Sequence, residues 1–588
     1  MSGQPIAFDG AGNARLTMAA ERPTITLSPG ECPEAVDSAE EVLVCNAERL
    51  RIFQRGGEVV RIISLEREQR TSGLQRQVGT VQLSPVGAVA LTETFDRLAT
   101  WERVSEGKDG PESRRVDCPS RIAAAYLSRA GEWKLPPLVG VIAAPILRPD
   151  GTVLATPRYD ATTGLYLTGD GWQPIPALPT REDGRRALEM LAAPFREFPF
   201  VGLEDRSVLL AAILTGLQRR LLPAAPLFGF TAPTMRTGKS ALAAAVATIA
   251  TGRPAPAMAV SGDREEVRKA IAAALREGHA VINLDNIEHP LGSPDLSRAI
   301  TEAEYGDRLL GETRIIRLPT NMLWTATGNN LAFRGDLAAR AVMCRLDAQT
   351  ERPEERRFAI SDLTAYLVEQ RPRLVAAALT ALRAYHVAGR PAQDVAPWAG
   401  FAAWSDLIRS ALVWLGEADP CATRRHVIED DPEREQAAAV LAAWDRAFSD
   451  RAVQIAEVIE RSGANPELLG AVLAVAASKA DHRQVDPRRL AWFCREHKDQ
   501  IIGELRLSRL AGDSRVARWV VAPPPDARSA VSAVSAVRLA PTKMQPPGPD
   551  GAEIFGEAKI TAMTALTAPP PERNPSPAPR ASDWESPL

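Results

Sequence analysis

Lys239, Asp285 and Asn329 each stand at the edge of a short apolar run, and their types and order suit phosphate chemistry. Lys239 lies in Phe230-Thr231-Ala232-Pro233-Thr234-Met235-Arg236-Thr237-Gly238-Lys239-Ser240, which ends as a phosphate-binding loop does. Backbone N–H groups from Thr234, Met235, Arg236, Thr237, Gly238, Lys239, Ser240 and Ala241 would cradle phosphate, Lys239 would reach its outer oxygens, and Ser240 would supply a hydroxyl to Mg²⁺. The first glycine of the usual pattern is replaced by Pro233. That glycine serves chain conformation, whereas Gly238 sits where the backbone must approach phosphate most closely. By itself the motif also fits a chance Gly-Lys-Ser at an ordinary helix start.

Asp285 closes the run Ala280-Val281-Ile282-Asn283-Leu284, after a helix expected from about Asp263 to Glu277 and stopped by Gly278. A carboxylate at a strand's C-terminal end can hold Mg²⁺ through water beside a phosphate loop, because ligands of open α/β sheets bind there. The adjacent place, where a second acid would polarise water, is taken by Asn286, which leaves Glu288 or a more distant group as the base. Asn329 follows the run Asn321 to Thr327 and would orient the attacking water. Taken singly, Asp-Asn and Asn-Asn also make ordinary turns. Their succession after Lys239 is the order expected of a ring-forming ATPase and argues against coincidence.

The elements that must position these residues belong to a multidomain α/β chain. At 588 residues it is too long for one core. The sequence divides into an α+β leader (1–130), a small β-rich module (131–190), a central P-loop ATPase (191–356), a helical region (357–476), a winged helix (477–522) and a disordered Pro/Ala/Ser-rich tail (523–588). A hairpin is expected at Arg51–Phe53 and Val59–Ile63 across Gly56-Gly57, and an apolar-periodic helix at about Glu204 to Leu222. Trp398, Trp404 and Trp414 are expected as packing anchors. Seventy basic residues against 73 acidic ones confine any nucleic-acid site to a local patch. Six scattered cysteines form no C-x-x-C pair, and nothing apolar is long enough for a membrane span, so a cytoplasmic protein is expected.

The motifs APTMRTGKS, VINLDNIE, YGDRLLGE, LWTATGNN and GDLAARAVMCRLD together resemble the superfamily-three-helicase-like ATPases of phages, plasmids and integrated elements. The likeness is to the ATPase half of poxvirus-type and satellite-phage-type primase/helicase proteins, and is strongest from Leu191 to Asp347. It implies an AAA+-type core, a hexameric homo-oligomeric ring, and ATP-driven movement on single-stranded or forked DNA. In the family the interval from Tyr305 to Arg317 resembles a channel hairpin, which would set Arg308, Arg314 and Arg317 on DNA. The alternative is a solvated basic edge. Arg340 is favoured over Arg345 as the arginine offered to a neighbouring subunit's nucleotide, because Arg345 could pair with an internal acid. The chain departs from the pattern at Pro233, Asn286 and Ala339.

Arg515 and Arg518 lie around the expected wing and would contact duplex DNA, with solvated charge as the plainer reading. Two rival functions stay open: an ATP-dependent switch or loader on DNA, and a catalytically weak nucleotide-binding scaffold suggested by Pro233 and Asn286. The leader carries neither a D-x-D pair on an apolar strand nor a cysteine zinc motif, so priming is assigned to a separate protein.

Overall fold

In the computed structural model, the structure describes residues 7–8, 14–15, 22–67, 69–71, 74–76, 78–79, 81–107, 110–260, 263–308, 315–510 and 517–524. Its centre is a parallel sheet whose strands are β1 (Leu227–Ala232), β2 (Ala257–Met258), β3 (Val281–Leu284), β4 (Leu323–Asn329) and β5 (Ala341–Arg345), ordered β5-β1-β4-β3-β2. Near-continuous apolar runs are what a sheet covered on both faces requires. Leu227, Phe228 and Phe230 of β1 and Leu323 and Ala326 of β4 are accordingly fully buried.

Helix α1 (Leu203–Gln218) precedes β1 and is buried along most of its length, from Asp205 through Gln218. It is a core helix, apolar nearly all round, and not the one-faced helix that its periodicity suggests. It ends four residues before Leu222, in a 3₁₀ turn at Arg219–Leu221. Helix α2 (Lys239–Thr251) links β1 to β2, and α3 (Arg264–Glu277) links β2 to β3. Asp263 caps α3 by accepting from the Glu265 N–H, and Gly278 ends it in the left-handed region. Between β3 and β4 come α4 (Pro294–Thr301) and a hairpin, Glu304–Arg308 with Ile315–Pro319.

The leader has its own core, in which Phe95, Trp101 and Tyr126 are buried together. The expected hairpin forms as Ile52–Arg55 and Glu58–Ser64. Gly56 and Gly57 take φ of 60° and 78°, the left-handed pair that a two-residue turn needs and that glycine accepts without strain. Leu74–Arg76 pairs antiparallel with β2 and Gln69–Thr71 with it in turn, so the leader extends the central sheet by two strands. The β-rich module consists of five short strands between Gly140 and Leu167, tied by the Arg148–Asp160 ion pair at 2.9 Å.

The helical region contains α5 (Leu363–Val387). Trp398 and Trp404 anchor it, packed edge-to-face at 5.8 Å, with the Trp404 indole donating to Thr215 Oγ1 on α1 at 2.8 Å. Trp414 packs on Tyr385 at 5.7 Å. The last core runs from Ala437 to Val521, and so draws in helices that the sequence reading assigns to the helical region. Its helix Pro487–Glu496 is capped by Asp486 and followed by antiparallel strands Leu505–Leu510 and Arg518–Ala522. The expected tail, apart from Pro523 and Pro524, lies outside the described residues. Among the described residues, all six cysteines are free, and no helix is long and apolar enough to cross a membrane.

Candidate functional site

The chain leaves β1 at Ala232 and turns through residues 233–238 into α2, whose first residue is Lys239. Two residues of the turn adopt left-handed backbone: Arg236, with φ of 61°, and Gly238, with φ of 110°. Pro233 is not one of them, so the position where a glycine is missing makes no demand that only glycine meets. Gly238 is required twice over. Its φ disfavours any side chain, and a Cβ there would lie 2.7 Å from the Phe198 ring. The turn is tied internally by Thr237 Oγ1, which donates to the Thr234 carbonyl at 2.9 Å.

Lys239 is largely buried and donates from Nζ to that same Thr234 carbonyl at 2.8 Å. Burial pushes its pKa below the ordinary lysine value, and no carboxylate among the described residues pairs with it. A buried ammonium held only by one loop carbonyl has a weak partner that an anion would displace. Ser240 and Ala241 open α2, where N–H groups have no helical acceptor.

Asp285 follows β3, and its N–H donates to the Met258 carbonyl at 3.3 Å. Its Oδ1 accepts from Thr327 Oγ1 at 2.7 Å and from Asn283 Nδ2 at 3.3 Å, while Oδ2 takes no bond from a described residue. The contact repeats one step down the strands, where Thr325 Oγ1 donates to Asn283 Oδ1 at 3.0 Å. Two-residue periodicity puts Asn283 with Asp285 on one side of β3, facing Thr325 with Thr327 on β4. The sequence reading assigns no role to Thr327. The signal for it was an N-x-D on one strand matched by a T-x-T on another, visible only once the two are known to pair.

Asn329 ends β4 directly opposite Ala232, the last residue of β1, and Asn330 N–H closes the pair on the Ala232 carbonyl at 3.1 Å. Asn286 is in the left-handed region at φ of 50° and donates from Nδ2 to Glu288 Oε1 at 3.1 Å. Glu288 and Asn286 line a cavity of about 480 Å³ with Arg264 and Arg334. The strand order therefore sets the Lys239 loop, Asn329 and Asp285 at three adjacent strand ends, β1, β4 and β3. Adjacent strands lie ~4.8 Å apart, so the outer two ends are within ~10 Å of each other.

Both candidate arginines bond within their own chain. Arg340 pairs with Asp336 at 2.7 Å and donates to the Ser297 carbonyl at 3.2 Å and to Thr301 Oγ1 on α4. Arg345 pairs with the fully buried Asp205 at 3.1 Å, the internal pairing that made it the second choice. Arg317 and Arg518 are exposed, on a hairpin strand and on the C-terminal sheet. The backbone of Arg308 ends the other hairpin strand, and Arg314 and Arg515 lie outside the described residues.

The sequence reading also passes over an aromatic group beside the loop. Phe198 packs on Phe195, Phe200 and Phe358, with the Arg356 guanidinium 5.1 Å from the Phe358 ring centre. Phe358 is 41% exposed and is separated from Gly238 by the Phe198 ring. The donor set fits a nucleotide with Mg²⁺: a weakly partnered lysine, a serine hydroxyl and one carboxylate oxygen that bond to no described residue, and orphan helix N–H groups.

No protein-family model matches this chain, and no curated protein matches it. Among solved structures, the chain is similar to the X-ray structure of JCV helicase, with 14% identity and a TM-score of 0.20, over 43% of this chain and 66% of that one. The apo C-terminal region of NrS-1 has 9% identity and a TM-score of 0.32, over 79% of this chain and 96% of that one. SCCmec type IV Cch, described as an active helicase, has 12% identity and a TM-score of 0.30, over 83% and 99%. Likenesses this weak assign neither an activity nor a residue's role.

Proposed function

We propose that the chain is an AAA+-like, ATP-hydrolysing DNA helicase or translocase that replicates a phage or mobile element as a homo-oligomeric ring. The observation that supports it best is the order β5-β1-β4-β3-β2, which aligns the Lys239 loop, Asn329 and Asp285 at adjacent strand ends. In this reading Lys239 exchanges the Thr234 carbonyl for phosphate oxygens and neutralises charge that develops during transfer. Ser240 and Asp285 hold Mg²⁺, which supplies further positive charge to the phosphates when bound. In this reading Asn329 orients the attacking water and Glu288, which accepts a hydrogen bond from Asn286, takes its proton. The exposed part of Phe358 packs against the adenine ring. Arg340 serves the neighbouring subunit after releasing Asp336, the Ser297 carbonyl and Thr301.

Thr327 positions Asp285 in this reading. Thr327→Val keeps the shape of the side chain and removes the hydroxyl that donates to Oδ1. Turnover is expected to fall about ten-fold with KM for ATP little changed, as for other groups that orient a metal-holding residue. Equal losses in a Thr325→Val control would assign the effect to strand packing instead.

Phosphate release measured with and without single-stranded DNA tests the function. Strong stimulation together with separation of a forked duplex is the expected result. Slow turnover that ignores DNA would favour a switch or loader. A nucleotide-binding protein without turnover would be a scaffold, the reading that Asn286 in place of a second acid favours. Replacing Arg308, Arg314 and Arg317 should weaken single-strand binding and flatten its salt dependence, by about 0.7 in the log–log slope for each phosphate that is no longer neutralised. Basal hydrolysis should survive that change. Replacing Arg515 and Arg518 should act mainly on duplex binding. An unchanged slope with stimulation intact would take the hairpin off the DNA path.

A further inference from the structure

A second cavity, of about 440 Å³, lies at the opposite end of the central sheet from the Lys239 loop. Thr251–Pro256, entering β2, and Gly278–Val281, entering β3, form one side of it. Thr168, Gly169, Asp170 and Trp172 of the β-rich module and Val368, Arg371 and Pro372 of α5 form the other. Its volume is that of a small-molecule site.

Two arginines, Arg253 and Arg371, share the lining of this cavity without a counter-ion among the described residues. Arg371 donates to the Ile249 and Ala250 carbonyls at the end of α2, both at 3.0 Å, and to the Ala143 carbonyl at 2.6 Å. Arg253 donates to the Val78 carbonyl at 2.6 Å. Neither forms an ion pair with a described residue, and among the described residues Arg253 donates to that one carbonyl. Burial and the neighbouring Arg253 charge pull Arg371 down to about 10, and burial lowers Arg253 as well. Two like charges desolvated side by side repel unless an anion joins them. Capping α2 explains Arg371 but leaves Arg253 unexplained, since one carbonyl is a poor return for holding a guanidinium there.

The remaining walls indicate what kind of anion. Trp172 stands with the Arg371 guanidinium 4.8 Å from its ring centre and donates its indole N–H to the Gly169 carbonyl. The acid in the lining, Asp170, is exposed and pairs with neither arginine. His279 is buried and already bonded to Glu277 at 2.8 Å. We infer that this cavity is a second anion site, which takes a small phosphate-bearing ligand on Arg253 and Arg371. The source of the phosphate is either the inorganic ion or a nucleotide, and one chemistry recognises both.

The experiment is calorimetric titration of the full chain with pyrophosphate, ADP and inorganic phosphate. Two pyrophosphate equivalents are expected. One should disappear in Lys239→Ala, and the other should weaken about ten-fold or more in Arg253→Gln, as loss of a charged donor requires, while Arg253→Lys retains it. Thermal melts confirm that each variant is folded. If ADP binds the Arg253-dependent site more tightly than pyrophosphate does, the natural source is a nucleotide; equal or weaker binding points to the inorganic ion. Both outcomes support the site. A single equivalent that Lys239→Ala abolishes, or a second one that a folded Arg253→Gln leaves unchanged, overturns it. A single equivalent that Lys239→Ala spares and Arg253→Gln weakens would instead overturn the phosphate-loop reading.

Discussion

Lys239→Ala is expected to lower phosphate release from ATP by about 10²-fold or more in a protein that melts where the parent does. The first half follows from electrostatics. A preorganised cation in a water-poor pocket, aimed where charge develops, is worth about that factor in mutational series. The second half follows from geometry. Among the described residues the Lys239 side chain makes a single hydrogen bond, to the Thr234 carbonyl, and that carbonyl also accepts from Thr237 Oγ1 and so keeps a partner after truncation. Burial of the ammonium without a carboxylate is itself unfavourable, and its removal relieves that cost. Asp285→Asn should behave alike: the amide oxygen can still accept from Thr327, while the charge that would hold Mg²⁺ is gone. Steady-state phosphate release beside a thermal melt measures both variants. Parental turnover in a folded Lys239→Ala protein would end the phosphate-loop reading and the motor with it.

Arg219→Met should cost about 3 kcal/mol or more of stability, the largest effect expected of any change far from the candidate site. The side chain is 1% exposed and closes the lower edge of the sheet. Nε donates to the Met322 carbonyl at 3.1 Å, Nη1 to Leu222 at 2.5 Å and Nη2 to Thr320 at 2.7 Å. Without a carboxylate beside it, burial pulls its pKa down to about 9, which still leaves it charged at neutral pH. Methionine keeps the apolar stem and removes every donor, so the loss is one of hydrogen bonding and not of volume. Leu222 and Thr320 lead into β1 and β4 and would lose a shared tie. The denaturant midpoint, compared with that of the exposed Arg317→Met, reads the effect. Midpoints that coincide would mean these three bonds add nothing to stability.

Much of the central sheet could be read before any fold was known. Apolar strands with Lys239, Asp285 and Asn329 at their ends, the Asp263 cap and Gly278 stop of α3, and the Gly56-Gly57 turn are all local. Each depends on a few neighbouring residues whose backbone preferences are strong. Helix α1 was read less well, because burial on every face leaves no periodicity to mark where it ends. The C-terminal core takes in helices that begin at Pro432. Its helices look like the preceding ones, and only the mutual packing of Ala437, Trp444 and Val521 shows that they belong together.

Side-chain type and strand-end position are properties of short segments, so the residues with the chemistry for phosphate, and their order, could be found in the chain without its fold. Which of them meet is a matter of folding. Thr327 became the partner of Asp285 because β3 and β4 pair in one particular register, and hydrogen-bond register joins segments that no local preference relates. Arg345 was drawn to Asp205 and Arg340 to α4 for the same reason. The Arg253 and Arg371 cavity arises where a β-rich module, the central sheet and α5 converge. The repulsion of its two charges has no trace in a sequence that separates them by more than a hundred residues; it exists only because burial brings them together and strips away the water that would screen them.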